Sequence, residues 1–281
     1  MPADPNLTQT ITQAFAPADG GEEILPALCI RSTHGLDIAL NAIEEVEMGS
    51  CMKAIILAAA CQLIDGGELS MNEELELTPD VRVEASDSLE QMRDGTSLKV
   101  DELLRAMIAV SDNTATEMIQ RRIGDQPVQS ALHLLGLYGQ LIPASVKQVY
   151  ALENLEETFP AFRTTAELMC TFYERMLENS LELTDSTRSY FWDVMQEEDR
   201  QQGTPWPVGI TCYRKSGSVI WDSVNAQAIC GVMMNETDRI VFALALNHRP
   251  GGDAIAEATF AEFNPRFKSV LTELANSLTW Q

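Results

Sequence analysis

Residues 50–67 carry the sequence SCMKAIILAAACQLIDGG, which opens with a serine and a lysine, Ser50 and Lys53. From Met52 to Ile64 the residues are apolar on nearly every side, a pattern that predicts a buried helix. Asp65-Gly66-Gly67 then supplies a glycine end. We therefore expect a helix in the core with two reactive side chains in its first turn.

The segments on either side of this helix predict a protein of mixed helix and strand. Residues 5–16 form a short polar helix pattern, and two apolar runs around Gly35, at 24–30 and 36–40, predict a β-hairpin. Helical patterns continue to about residue 197, after which the period of a strand returns. The helical stretches are 99–110, 114–123, 127–135, 165–178, 184–197 and 253–279, and the strands are 208–214, 224–234 and 239–246.

This order predicts an α/β fold of the α+β type. An antiparallel sheet flanked by helices would be assembled from both chain ends, with an all-helical subdomain inserted. Residues 1–48 and 200–281 would form the sheet subdomain, and residues 49–199 the helical one. A cleft between the two is the place where we expect the site.

Charge and hydropathy exclude two classes of partner. The 281 residues carry a formal net charge of −23, which would repel phosphate backbones and so predicts no nucleic-acid partner. The longest apolar run, Ala54–Cys61, is far shorter than the roughly 20 residues of a membrane-spanning helix. We expect no membrane span, and the oligomeric state stays open.

Six cysteines are scattered along the chain without a CxxC pair or a histidine at metal-ligand spacing. This pattern predicts that the cysteines are small buried apolar residues of a protein in a reducing compartment. A disulfide between one pair of them is the alternative. Neither a metal nor a cofactor is indicated. The N-terminus lacks the features of a signal peptide, so we expect a cytoplasmic protein, or a periplasmic or secreted one whose signal was removed.

The motif Ser50-Cys51-Met52-Lys53 has the chemistry of an activated serine nucleophile. A spacing of three residues at a helix start puts the hydroxyl and the amine on one face. A partly desolvated lysine can take the proton of a serine hydroxyl, which is otherwise a weak nucleophile. Taken alone, this spacing is common in proteins and carries little weight.

Two further short motifs carry side chains that could act together with Ser50 and Lys53. In Ser111-Asp112-Asn113, between two predicted helices, Ser111 could relay a proton and Asn113 could bind a substrate amide; ordinary N-cap and turn chemistry is the alternative. In Lys215-Ser216-Gly217-Ser218, on a predicted strand, the lysine would attract a carboxylate and Gly217 would admit a ligand close to the backbone. A solubilising lysine on an edge strand is the alternative there.

The order and context of the three motifs resemble the class A β-lactamases and the related penicillin-binding proteins, which carry SxxK, SDN and K-T/S-G. The resemblance implies a serine hydrolase without a cofactor, acting on a small-molecule or peptide acyl substrate. It also implies a role for each matching position: Ser50 as the acylated nucleophile, Lys53 as base or proton relay, Ser111 as proton shuttle, Asn113 as a substrate ligand, Lys215 and Ser216 as carboxylate ligands, and the N–H groups of Ser50 and Ser218 as the oxyanion hole.

One element of the family pattern is missing. Class A β-lactamases carry Glu-x-x-Leu-Asn ahead of paired threonines, and its glutamate activates the deacylating water. Counting back from Thr164-Thr165 puts Asn154 on the asparagine and Tyr150 on the glutamate. A small shift of register would instead place Glu153 at the site. The alternative is that the acidic residues here simply lie on a solvated loop. Because tyrosine has a pKa near 10, the resemblance predicts acylation followed by slow deacylation.

The strand after the third motif also departs from many family members, which place an arginine there. Residues 225–234 contain none, and Arg214 precedes Lys215, so strand alternation turns it to the opposite face. We therefore expect a serine-dependent acyl-enzyme hydrolase of β-lactams or related amides and esters. A D-alanyl-D-alanine peptidase or esterase is the first alternative, and a catalytically silent binding module is the second.

Overall fold

The structure, a computed structural model, describes residues 5–15, 24–84, 86, 88–140, 142–150 and 163–279. Its helices are α1 (Pro5–Phe15), α2 (Lys53–Asp65), α3 (Val100–Ala109), α4 (Asn113–Ile123), α5 (Asp125–Leu134), α6 (Val146–Tyr150), α7 (Ala166–Leu177), α8 (Asp185–Met195), α9 (Glu197–Gln202) and α10 (Asp253–Ser277). Its strands are β1 (Ile24–Ser32), β2 (Asp37–Leu40), β3 (Val46–Glu47), β4 (Glu74–Glu76), β5 (Ser97–Lys99), β6 (Arg163–Thr164), β7 (Thr211–Trp221), β8 (Val224–Met234) and β9 (Arg239–His248).

The described residues divide into two units. The sheet unit takes residues 5–15, 24–51, 163–174 and 204–279. The helical unit takes residues 52–84, 86, 88–140, 142–150 and 175–203. The stretch 163–174, which lies inside the predicted helical subdomain, thus groups with the sheet.

Strands from both chain ends build the sheet, in the order β2-β1-β9-β8-β7, with every neighbouring pair antiparallel. The predicted hairpin is present as β1 and β2. Alternation along β9 sends Phe242 and Leu244 into an apolar cluster that α1 and α10 cover. Within that cluster the rings of Phe15 and Phe267 meet edge to face, 5.6 Å apart. The predicted α+β fold, with its antiparallel sheet formed from both ends of the chain, is confirmed.

The predicted buried helix is α2, and its residues are buried from Lys53 to Cys61. The last turn is half-buried, and the chain leaves it through Gly67 at a φ of +74°. Such an angle suits glycine, because it has no Cβ to collide with the backbone. Helices α5 and α8 pack against α2.

The helical unit is not wholly helical, which corrects the predicted all-helical subdomain. β4 and β5 form a two-stranded antiparallel ribbon in which Glu74 faces Lys99. Both strands alternate polar, apolar, polar, and Leu98 buries its side chain. Strands of three residues are too short for their period to be recognised in sequence.

Among the described residues, no helix combines the length and apolar character needed to cross a bilayer. All six cysteines are buried and free, so the buried-thiol interpretation holds and the alternative of a disulfide is not seen.

Candidate functional site

The predicted site residues fall into one group in each unit. In the helical unit, Lys53, Ser111 and Asn113 come together. Lys53 Nζ donates to the carbonyl oxygen of Ser111 at 2.5 Å, to Ser111 Oγ at 3.2 Å and to Asn113 Oδ1 at 2.8 Å. The lysine is only 2% exposed, so its nitrogen depends on these oxygens in place of water.

The backbone at Ser111 explains how this motif reaches the lysine. Ser111 has a φ of +59°, a left-handed conformation that few residues other than glycine adopt and that clusters at functional sites. In this conformation both its carbonyl oxygen and its hydroxyl face Lys53 Nζ. The turn ends at Asn113, the first residue of α4, which also donates to the carbonyl oxygen of Glu84 at 3.2 Å.

Asp112 holds the turn in this strained form. Its side chain is fully buried and caps α4 by accepting from Ala115 N at 2.8 Å. Its second oxygen accepts from the Ser88 amide and hydroxyl at 3.1 and 2.8 Å, and from Leu89 N at 3.0 Å. Asp112 thus carries the N-cap chemistry that was the alternative interpretation of Ser111-Asp112-Asn113.

In the sheet unit, Ser50 lies in a 3₁₀ turn, Gly49–Met52, that runs directly into α2. The nucleophile candidate therefore precedes the helix, and its side chain is half-buried. β7 passes against this turn with almost no space between the backbones. A Cβ added to Gly217 would meet Met48 O at 2.1 Å and Ser50 N at 2.6 Å.

Gly49, in the turn, is packed equally closely against the backbone of β7. A Cβ on Gly49 would meet Ser218 O at 2.7 Å and Ser218 N at 3.0 Å. Gly49 also has a φ of +50°, so both its conformation and its surroundings exclude a larger residue. The backbones of Ser50 and Ser218 are thus held as neighbours by two glycines.

Strand β7 separates Lys215, of the third motif, from the preceding Arg214 by alternation. Lys215 is fully buried, donates to Ser216 O at 2.9 Å, and accepts a 3.2 Å hydrogen bond from Cys51 Sγ at its carbonyl oxygen. Arg214 donates to Thr204 Oγ1 at 3.0 Å, and its guanidinium lies 5.8 Å from the ring centre of Trp206. Ser216 is half-buried and Ser218 is exposed.

The candidate deacylation residues are described only in part. Tyr150 is the last residue of α6, and Glu153 and Asn154 lie outside the described residues. The segment before α6 is held by two buried side chains of α4. Glu117 accepts from Ser145 Oγ at 2.8 Å and from Lys147 N at 3.0 Å, and Gln120 donates to Pro143 O.

A match to a family model covers residues 6–263 of the chain, and the model describes the β-lactamase enzyme family. The chain belongs to the β-lactamase family. At the level of the family it is a serine β-lactamase-like hydrolase. A search of curated proteins finds no match.

Solved structures of PBP-A and of a β-lactamase share the fold. PBP-A is 19% identical, with 100% of this chain and 98% of PBP-A covered and a TM-score of 0.76. A leucine-to-glutamate variant of PBP-A, solved as an acyl-enzyme complex with penicillin G, has the same identity and TM-score, with all of both chains covered. A β-lactamase from Xanthomonas campestris pv. campestris is 18% identical over 96% of this chain and 97% of its own, with a TM-score of 0.76.

Proposed function

We propose that the protein is a serine hydrolase that forms an acyl-enzyme at Ser50 and releases the acyl group slowly. The observation that carries the proposal is the contact of Lys53 Nζ with both Ser111 Oγ and Asn113 Oδ1. One buried lysine nitrogen thereby ties together the side chains that the family motifs assign to proton transfer and substrate binding.

In the proposed acylation, Lys53 acts as the neutral amine. Ser50 Oγ attacks the carbonyl carbon of an amide or ester while its proton passes to the lone pair of Lys53 Nζ. The bond from that carbon to nitrogen or oxygen then breaks, and Ser111 Oγ passes a proton to the leaving atom. Lys53 Nζ returns the proton taken from Ser50 to Ser111 Oγ, 3.2 Å away. With a β-lactam the broken bond lies in a ring. The leaving nitrogen therefore stays attached, and the adduct gains the full mass of the antibiotic.

Backbone and basic groups of the sheet unit would support this step. The neighbouring backbones of Ser50 and Ser218 offer two N–H groups for the developing oxyanion, a type of contact whose loss costs roughly a hundredfold in rate. Lys215 and Ser216 would bind the substrate carboxylate. The buried position of Lys215 strengthens its attraction for a negative charge, because little water screens it.

Slow deacylation rests on the residue at the glutamate position. Tyr150 occupies it when the sequence is counted back from Thr164-Thr165, and a phenol is protonated at neutral pH and so is a poor base for water. The capture of a PBP-A variant as an acyl-enzyme with penicillin G concerns that protein. It nevertheless makes a persistent acyl-enzyme a reasonable expectation for a chain of the same fold.

A peptidase or esterase activity is the second candidate. The missing glutamate and the absence of an arginine in residues 225–234 both weaken the case for efficient penicillin turnover. A D-alanyl-D-alanine peptide or an activated ester would still find a nucleophile, a proton relay and a carboxylate site. A silent binding module would keep the pocket without the covalent step.

The test is to mix the protein with penicillin G or a chromogenic cephalosporin and to follow turnover and intact mass. We expect an adduct with the mass of the antibiotic that persists for many minutes, with turnover well below one per second. Rapid multiple turnover would contradict slow deacylation. No adduct with penicillins, cephalosporins or D-alanyl-D-alanine thioesters would favour the binding module.

Matched variants identify the residues involved. Ser50→Ala should abolish the adduct, and Lys53→Ala should slow its formation by about a hundredfold or more. Ser186→Ala, an exposed serine on α8, is the control and should acylate like the wild type. An adduct that survives Ser50→Ala would overturn the assignment of the nucleophile.

A further inference from the structure

The side chain of Asn247 on β9 acts as an extra strand partner for β3. Glu47 N donates to Asn247 Oδ1 at 2.8 Å, and Asn247 Nδ2 donates to Glu47 O at 3.2 Å. Both backbone groups of Glu47 are therefore satisfied by one amide. Asn247 is fully buried and Glu47 is 1% exposed, so no water replaces this pair of bonds at low cost.

Alternation along β9 explains why this polar side chain is buried. Leu244 and Leu246 face the apolar cluster beneath α1 and α10, so Asn247 belongs to the opposite face of the strand. The backbone of β9 is fully used at this position, because Asn247 lies between Leu25 of β1 and Ala226 of β8. Only the side chain of Asn247 is therefore available to form hydrogen bonds with β3.

The clamped residue lies three positions before Ser50. The chain between them is also held: Met48 O accepts from Cys51 N at 3.2 Å and lies where a side chain on Gly217 would stand. On its other side, the Glu47 carboxylate pairs with Arg163 Nε at 2.6 Å, beside the β3–β6 register of Glu47 with Arg163. The Ser50 turn is thus held by two contacts: the hydrogen bonds of Asn247 to the backbone of Glu47, and the close packing of Gly217 against Met48 and Ser50.

We propose that Asn247 is a positioning residue for Ser50, acting through the backbone of Glu47. This inference rests on the proposed acylation of Ser50. A serine turn that lacks the clamp would keep its fold and its substrate ligands. It would hold the hydroxyl and the oxyanion N–H less accurately, and small misplacements of reacting groups cost large factors in rate.

The same sheet contains a matched control. Asn225, on β8, is also fully buried and makes the same two-point clamp, donating to Gly252 O at 3.1 Å and accepting from Gly252 N at 3.0 Å. Its target is the residue before α10, not the Ser50 turn. Replacing either asparagine by leucine removes two hydrogen bonds from a buried peptide while keeping the volume similar.

The experiment measures adduct formation by intact mass at several penicillin G concentrations, which separates the initial affinity from the rate constant of acylation. Asn247→Leu should lower the rate constant about tenfold or more, with the initial affinity changed less than threefold. Asn225→Leu should lose similar thermal stability yet keep the wild-type rate constant. If Asn247→Leu does not fold, Asn247→Ala and Asn225→Ala replace the pair.

Three outcomes would overturn the inference. Equal rate constants for the wild type and the Asn247 variant would leave Asn247 a purely structural residue. Equal losses in both asparagine variants would show a general effect of sheet stability. A wild type that forms no adduct would overturn the proposed function together with this inference, whereas an acylating wild type with an unaffected variant would overturn the inference alone.

Discussion

Gly217 and Met48 approach so closely that no side chain fits between them: a Cβ on Gly217 would lie 2.1 Å from the carbonyl oxygen of Met48. Backbone lies on both sides of this contact, so neither partner can give way by rotating a side chain. The contact couples the K-S-G strand to the turn that carries Ser50.

We therefore expect Gly217→Ala to impair acylation severely. The added methyl must push β7 away from the Ser50 turn, which displaces one N–H of the proposed oxyanion hole and lowers the acylation rate by about a hundredfold or more. Overpacking should also lower the free energy of unfolding by about 1–3 kcal/mol. Acylation is measured by intact mass with penicillin G, and unfolding by urea titration.

Gly66→Ala is the control for this substitution. Gly66 has a φ of −74°, and an added Cβ would come no closer than 3.4 Å to Gln62 O, so the variant should fold and acylate normally. An active Gly217→Ala protein would contradict the close packing of strand and turn.

Removing the Asp112 carboxylate should destabilise the helical unit. Its two oxygens cap α4 and accept from Ser88 and Leu89, and all of these bonds are lost together in Asp112→Ala. Loss of a cap and of buried charge-assisted hydrogen bonds predicts a decrease of about 3 kcal/mol in the free energy of unfolding. Urea titration followed by circular dichroism measures it.

Asp185→Ala is the comparison for Asp112. Asp185 begins α8, and its exposed carboxylate pairs with Arg188, a contact worth about 0.5 kcal/mol or less. Similar losses in the two aspartate variants would argue against Asp112 as the fixing point of the Ser111 turn.

Asp65 gives the helical unit a defined dependence on pH. Hydrogen bonds from the hydroxyls of Thr184 and Thr187, at the start of α8, lower the pKa of the Asp65 carboxyl. A lowered pKa means that folding favours the carboxylate. The stabilisation is therefore present above the usual aspartate pKa of about 3.9 and disappears as the pH falls through the lowered value.

Asp65→Asn should consequently lower Tm at pH 7, and its difference from the wild type should shrink as the pH falls below about 4. Thr187→Val should reproduce part of the loss at pH 7. A difference in Tm that stays constant from pH 7 to pH 3 would exclude the linkage. Differential scanning calorimetry at several pH values measures these shifts.

The buried thiols predict slow modification of the native protein. Burial raises the pKa of Cys61, whereas a hydrogen bond from Cys170 lowers the pKa of Cys29. Iodoacetamide should add nothing to the native protein within minutes and six groups after unfolding in guanidinium without reductant. On partial opening, Cys29 should react before Cys61. Fewer than six groups after unfolding would reveal a disulfide.

Much of the fold could be predicted from the sequence because its signals are long and local. The all-round apolar character of α2 extends over more than three turns, and the apolar-rich stretches that form β8 and β9 extend over ten residues or more. Short elements such as β4 and β5 carry too few residues for a period. The start of α2 at Lys53, with Ser50 in a 3₁₀ turn before it, likewise depends on packing of the turn against β7.

The sequence by itself determined which side chains could do acyl chemistry, since Ser50, Lys53, Ser111 and Lys215 stand in motifs whose order carries meaning. Only the tertiary structure decided which contacts fix the positions of these side chains. The reach of Lys53 to Ser111 depends on a left-handed backbone that the buried Asp112 fixes, and the Ser50 turn depends on Gly217 and Asn247. These contacts join residues up to 200 positions apart, so only the folded chain brings them together.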